Sequence, residues 1–364
     1  MSKIVIVGEA YGAKEDMFKH AFVGSSGAEL ARMLAQADLA PEPVHLPSEL
    51  DMITYWKKAK ETLDIHLANV FPLRPTDNKI ENFFTSAKEG LKTIPPLRPG
   101  KYLQPELFHH LESLWQLLLD LEPNLILALG NTACWAVLEE SKISEIRGTL
   151  RISPRLGLKV LPTYHPAAVL RDWSLRPIVI ADMIKAKEEA ESKAITRIER
   201  WMTIEPDLDE IAEWISRPAD FYAVDIENPK YEVRPNSFVY LRGQVSMIGF
   251  ARNANDAMVI PFFDERKPDG NYWPTASQEL SARRLAERIL SSPVPKVFQN
   301  GVFDLTHLLR QGYRPKNIVG DTMLYHHALY PEMLKGLGFL GSIYSNEISW
   351  KRMASKGNNL KRDE

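Results

Sequence analysis

Lys3-Ile4-Val5-Ile6-Val7-Gly8-Glu9-Ala10-Tyr11-Gly12 opens the chain. Four consecutive β-branched apolar residues that end at a glycine read as a buried strand running into a tight turn. Beyond it, Ala28 to Ala37 carries Leu30, Met33 and Leu34 at helical spacing. Residues 65–71 (IHLANVF) read as a second strand. Gln104 to Leu121 reads as a long helix with Leu107, Leu111, Leu114 and Leu118 on one stripe. A third strand, 124–129, ends at Gly130 and precedes a helix over Thr132 to Leu138; a fourth, 158–163, precedes a closing helix from Arg176 to Lys193. Strands alternating with helices predict a three-layer α/β domain with a mainly parallel sheet.

The chain has 364 residues, enough for about two domains. The charged stretch 186–200 ends the first pattern, and a second α/β pattern begins near Phe221. It has strands at 221–226, 245–250, 257–262 and 296–299 and a helix at 277–291. The expected division is a first domain over 1–195, a linker over 196–205 and a second domain over 206–364. Thr93 to Pro105, with four prolines, reads as a surface loop.

Composition sets further limits. Net charge is −2, and residues 1–200 and 201–364 are each near neutral, so nucleic acid would be held by a local patch or a metal rather than a global field. No apolar run approaches the ~18–20 residues of a membrane span, and the first residues lack the pattern of a secretory signal. The expected location is the cytoplasm, that of a bacterial host if the gene is phage-borne. Cys134 is the single cysteine, which excludes an internal disulfide and an all-cysteine metal or iron–sulfur site.

Polar residues cluster where the first four strands end, the usual location of binding sites in open parallel sheets. They are Gly8-Glu9-Ala10-Tyr11-Gly12 with Phe22-Val23-Gly24-Ser25-Ser26-Gly27, then Asn69, then Tyr164-His165-Pro166-Ala167-Ala168-Val169-Leu170-Arg171. An acid, aromatic rings, an amide and an imidazole at one sheet edge can read a planar heterocycle by stacking and by pairing with its edge. These motifs, with Leu129-Gly130-Asn131-Thr132-Ala133 and Ile146-Arg147-Gly148, resemble the uracil-DNA glycosylase superfamily over about residues 3–190, nearest the family 4 type. The resemblance implies base flipping and cleavage of the N-glycosidic bond. Phe22 would stack on uracil and Asn69 would bond its pairing edge. His165 would stabilise charge on the leaving base, and Glu9 would orient water or stabilise the sugar cation. The loop 166–171, ending in Arg171, would wedge into the duplex. Tyr11 stands where the family has proline, beside the base pocket. Pro72-Leu73-Arg74-Pro75 replaces a cysteine-bearing stretch, so no iron–sulfur cluster is expected and apolar packing must take its place.

In the second half, Asp225-Ile226-Glu227 ends a strand, so both carboxylates face one side. With Asp304 they form an oxygen-donor set suited to Mg²⁺ or Mn²⁺. Asp225, Glu227, Asn300 and Asp304, with Gly320-Asp321-Thr322-Met323-Leu324, resemble the DEDD 3′–5′ exonuclease domain of phage-type family A DNA polymerases, an RNase H-like α/β fold. The resemblance covers about residues 205–364. It implies binding of single-stranded 3′ ends at Asn300 and the carboxylates, and a polymerase portion encoded separately or downstream. The third motif, Tyr-x-x-x-Asp, does not occur up to Glu364, so exonuclease activity of this chain is expected to be nearly absent. The alternative to a uracil-excising enzyme is a glycosylase-fold module that only binds DNA or a replisome partner.

Overall fold

The computed structural model describes residues 3–43, 48–195, 199–234, 237–240 and 244–345. The chain divides into two compact units: Met1–Thr196 with residues from Gly338 on, and Arg197–Leu337.

The first unit contains β1 (Ile4–Ala10), α1 (Ala13–Phe18), α2 (Ser25–Gln36), α3 (Glu49–Leu63) and β2 (Ile65–Phe71). A short pair, β3 (Phe84–Thr85) and β4 (Tyr102–Leu103), lies within the proline-rich region and leads to α4 (Phe108–Leu121). Then come β5 (Leu125–Leu129), α5 (Gly130–Leu138), α6 (Ile143–Ile146), β6 (Arg151–Ile152), β7 (Lys159–Thr163), α7 (Pro166–Arg171) and α8 (Arg176–Glu189). The sheet order is β2-β1-β5-β7-β6, parallel except for β6.

Both faces of this sheet are covered, as its apolar strands require. On β1, Ile4 and Ile6 enter a core shared with α2, α3 and α8, while Val5 and Val7 enter the opposite core with α4 and α5. Leu125, Leu127 and Leu129 of β5 repeat the first assignment, and Ile126 and Ala128 the second. This is the three-layer arrangement expected. The helix expected from Gln104 instead begins as a 3₁₀ turn, Pro105–Leu107, because a proline has no amide to extend a helix backward. The Ile146-Arg147-Gly148 motif is structural here: Arg147 Nε donates to Asp182 Oδ2 at 3.0 Å, and Thr163 Oγ1 donates to the same oxygen at 2.6 Å.

The second unit contains β8 (Trp201–Thr203), α9 (Leu208–Ser216), β9 (Tyr222–Glu227), the antiparallel pair β10 (Lys230–Arg234) and β11 (Ser237–Tyr240), β12 (Met247–Ala251) and β13 (Asp256–Pro261). It continues with α10 (Ala276–Leu290), β14 (Lys296–Phe298), α11 (Gly301–Arg310), β15 (Ile318–Asp321) and α12 (Thr322–Leu329); α13 (Leu337–Tyr344) follows. The sheet order is β15-β14-β9-β12-β13-β8, with β12 antiparallel to both neighbours and β9, β14 and β15 parallel.

Two boundaries differ from the sequence division. The stretch expected as a linker holds β8, which pairs with β13 through Trp201↔Asp256 and Met202↔Ala257. Residues from Gly338 on, expected in the second domain, group with the first unit, where Arg147 donates to Ser342 Oγ at 2.8 Å and Lys185 Nζ donates to the carbonyls of Ser342 and Ser345, each at 2.7 Å. Among the described residues no helix is long and apolar enough to cross a membrane.

Candidate active site

The ends of β1, β2, β5 and β7 bring the expected residues of the first unit together. The register pairs Gly8 with Asn69 on adjacent strands. A methyl group on Gly8 would lie 2.2 Å from Asn69 Oδ1 and 2.5 Å from Phe22 Cζ. The amide and the ring therefore meet directly above the Gly8 backbone, and only a residue without a side chain leaves them that space. Phe22 and His165 stack with ring centroids 6.0 Å apart and planes 27° apart. Gly130, at φ +82°, turns the chain beneath His165, whose Cβ would be 3.1 Å from an added methyl.

Phe22 holds an unusual backbone conformation, φ +57°. Two contacts fix it. Trp56 Nε1 donates to the Phe22 carbonyl at 2.9 Å, and Gly27 passes so close that an added Cβ would sit 1.7 Å from that oxygen. The Phe22 ring is only 2% exposed, so its stacking face is covered in this state. A base stacks on Phe22 only after a movement that uncovers the ring's face.

His165 Nδ1 accepts the Ala167 amide at 3.1 Å. A ring nitrogen that accepts carries no proton, so the neutral ring keeps its proton on Nε2 as a donor. Burial, aided by the positive charge of Arg171, lowers the imidazole pKa to about 4. Glu9 Oε2 accepts from Thr132 Oγ1 at 2.5 Å. Burial raises the Glu9 pKa, while the Thr132 hydroxyl and Arg171 act against that rise. Tyr11 is half-buried, its amide anchored to the carbonyls of Phe71 and Leu73, and burial raises its phenol pKa. The expected wedge loop is a helical turn, α7, which ends in exposed Arg171. It leaves Leu170 46% exposed, and beyond it Trp173 is 61% exposed.

Thr132, Trp56 and Gly27 were not assigned roles from sequence. Thr132 had a usable signal, its place just after Gly130 at a strand end. Trp56 had none, since its role depends on a hydrogen bond to a residue 34 positions away.

In the second unit, β9 alternates buried and exposed, so Asp225 and Glu227 stand on its open face while Tyr222, Val224 and Ile226 enter the core. Asp304, on α11, is buried and accepts the Ile226 amide at 3.1 Å. Burial and the nearby charge of Asp225 raise its pKa to about 6; burial and Glu227 raise that of Asp225. Asn300 is exposed at φ +58° ahead of α11, and its amide donates to Asp321. The donor chemistry suits a hard divalent ion, but among the described residues no three acidic, histidine or cysteine side chains gather closely enough to hold one. Asp225, Glu227 and Asp304 stand on neighbouring elements, and one Asp304 oxygen accepts the Ile226 amide.

Comparison with known proteins agrees with the first unit's geometry. A Type-4 uracil-DNA glycosylase of Thermotoga maritima is 29% identical over 190 residues, 51% of this chain and 77% of that protein. The Archaeoglobus fulgidus protein of the same description is 30% identical over 194 residues, covering 51% and 76%. Among solved structures, Brucella melitensis NrnC with bound Mg²⁺ aligns with 41% of this chain and 62% of that one at 17% identity, with a TM-score of 0.24, too low to support a common fold. The family model for the uracil DNA glycosylase superfamily matches residues 1–193, and the chain belongs to that superfamily.

Proposed function

We propose that the first unit removes uracil from DNA by hydrolysing the bond between the base and C1′ of its sugar. The observation that carries this reading is the meeting of the Asn69 amide and the Phe22 ring over Gly8, with His165 stacked beside them. Asn69 offers a donor and an acceptor to the pairing edge of a flipped base, and Phe22 offers a flat apolar face. As the glycosidic bond breaks, its electron pair moves to the base. His165, neutral and holding its proton on Nε2, donates a hydrogen bond to the developing negative charge; one well-placed donor of this kind is worth roughly 2.7–4 kcal/mol. Glu9, held by Thr132, is the carboxylate that stabilises the sugar cation or orients the water that adds to C1′. Tyr11 lines the base pocket. Arg171, with exposed Leu170, contacts the duplex. No iron–sulfur cluster enters this scheme.

The second unit is read as an incomplete exonuclease domain of the kind found in phage DNA polymerases, a kind that acts on single-stranded 3′ ends, with this chain itself nearly inactive on them. Its support is the sheet order 5-4-1-2-3 over β15, β14, β9, β12 and β13, the arrangement of RNase H-like folds, with Asp225, Glu227 and Asp304 on neighbouring elements. Asp225 and Glu227 would hold Mg²⁺ or Mn²⁺, with Asp304 completing the set and Asn300 beside the DNA. Such an ion would supply an activated water and charge stabilisation for phosphodiester cleavage. A polymerase portion is the matching partner, and the cytoplasm of a bacterial host the matching location.

The test is excision of uracil from a labelled oligonucleotide, followed by alkaline cleavage and gel separation. The wild type should cleave, and His165→Ala and Asn69→Ala should each be slowed strongly. Full rates in both variants would refute the site. Binding without cleavage by the wild type would favour a non-catalytic DNA-binding module, a reading to which the closed Phe22 ring lends weight.

A further inference from the structure

β2 is an edge strand, bordered on one face by α3 and on the other by α4. Along this edge runs a cleft of about 520 Å³. Asn69 and Tyr11 are among its lining residues, so the cleft reaches the candidate base-recognition site. Its lining includes Lys19, His20, Lys57, Lys60, His66 and His110, and no aspartate or glutamate. Its lysines give the lining a positive charge that no lining carboxylate offsets.

Two of the three lysines are unengaged. Lys19 touches Asp16, and His66 touches Asp64. Lys57 and Lys60, one turn apart on α3, are exposed and have no ion-pair partner among the described residues. Apolar side chains also line it, among them Leu67 from β2 and Leu117 from α4, the latter 41% exposed.

We propose that this cleft binds a single strand of DNA flanking the target nucleotide, with phosphates at Lys57 and Lys60 and bases against the apolar wall. A positively charged groove that tracks the backbone is one part of how proteins hold single strands without reading their sequence. From Ile65 to Asn69 the strand spans roughly 13 Å, about the length of four stacked nucleotides. The inference rests on the reading that the first unit acts on DNA, and it adds a preference: the strand leaving the flipped nucleotide is unpaired.

The test measures binding of a uracil-free oligo-dT to the full chain by fluorescence anisotropy across a salt series. Each phosphate contact on a single strand contributes about 0.7 to the slope of log affinity against log salt. The pair K57E/K60E should lower that slope by about 1.4, and K57Q/K60Q should lower it equally with a smaller loss of affinity at low salt. Retained thermal melting of the variants shows that they are folded. An unchanged slope in folded variants overturns the proposal, as does loss of binding to an oligo-glutamate peptide with DNA binding intact, which would make the cleft a peptide site. Uracil excision is measured in parallel on the wild type. Excision with an unchanged slope would sink the cleft alone, and a reduced slope without excision would sink the glycosylase reading alone.

Discussion

Gly8→Ala tests the central geometry with one methyl group. The glycine's backbone is one that alanine adopts freely, so the effect is steric. The added Cβ would sit 2.2 Å from Asn69 Oδ1 and 2.5 Å from Phe22 Cζ. Ordinary contact needs roughly 3.4 Å or more, so the amide must retreat by about 1 Å and the ring must tilt. Overpacking of this kind costs about 1–3 kcal/mol of stability. A 1 Å displacement of a positioning group costs about 100-fold in rate, or about 2.7 kcal/mol in the barrier. The assay is single-turnover excision of uracil from a defined oligonucleotide, with protein above substrate, alongside a thermal melt. The expected outcome is a folded protein with a somewhat lower melting temperature and an excision rate about two orders of magnitude down. A folded Gly8→Ala protein excising at the wild-type rate would refute the argument that Asn69 and Phe22 act from this position.

Other outcomes follow from the same structure. His165→Ala should slow excision by about 10²–10³-fold; because burial holds the His165 pKa near about 4, the wild-type pH–rate profile should show no break at the usual histidine value of 6.5. The same depression means the unfolded chain binds that proton more readily, so stability is lost as pH falls from 6.5 toward 4, a trend that urea melts should show weakened in His165→Gln. Gly27→Ala should destabilise by about 3 kcal/mol or more, since its Cβ would meet the Phe22 backbone oxygen at 1.7 Å and backbone cannot swing aside; a thermal melt measures it. In Asp304 the folded-state pKa is raised from 3.8 to about 6, so its contribution to stability is present below 3.8 and lost as pH rises through 6. Asp304→Asn keeps an acceptor for the Ile226 amide and should be on the order of 1–3 kcal/mol more stable than wild type in urea at pH 7.5, with most of that gain gone at pH 4.

The first sheet was legible because its strands carry unambiguous signals. Ile4 to Val7 is apolar on both faces, and Leu125 to Leu129 repeats the pattern, so both cores could be anticipated from two short runs. The site was legible through position, since Glu9, Asn69 and His165 each lie at or just beyond a strand end. What sequence did not reveal is tertiary in origin. α3 mixes Trp56 and Ala59 with Lys57, Lys58 and Lys60, so its buried stripe is narrow and easily missed. β8 is three residues long and exists through pairing with β13. Phe22 taken alone reads more as a core residue than as an open platform; that it is covered follows from Trp56 and His165, which are distant in sequence, and from nearby Gly27.

The corner beyond Asn69 is built from apolar packing. Cys134 is buried on α5, where burial pushes its thiol pKa up. Leu73 packs against the second core. Around it, Phe71 meets Phe83 edge-on at 4.9 Å, and Phe84 meets Trp135 at 5.3 Å. Such pairs add about 0.5–1.5 kcal/mol each beyond the area they bury. Phe71 is two residues from Asn69 on the same strand, so the packing that fixes the ring also fixes the strand end that presents the amide. The amide of Tyr11 ties the β1 turn to the carbonyls of Phe71 and Leu73. The strand end that carries Asn69 is therefore held by an apolar corner, and its rigidity is the sum of many small contacts.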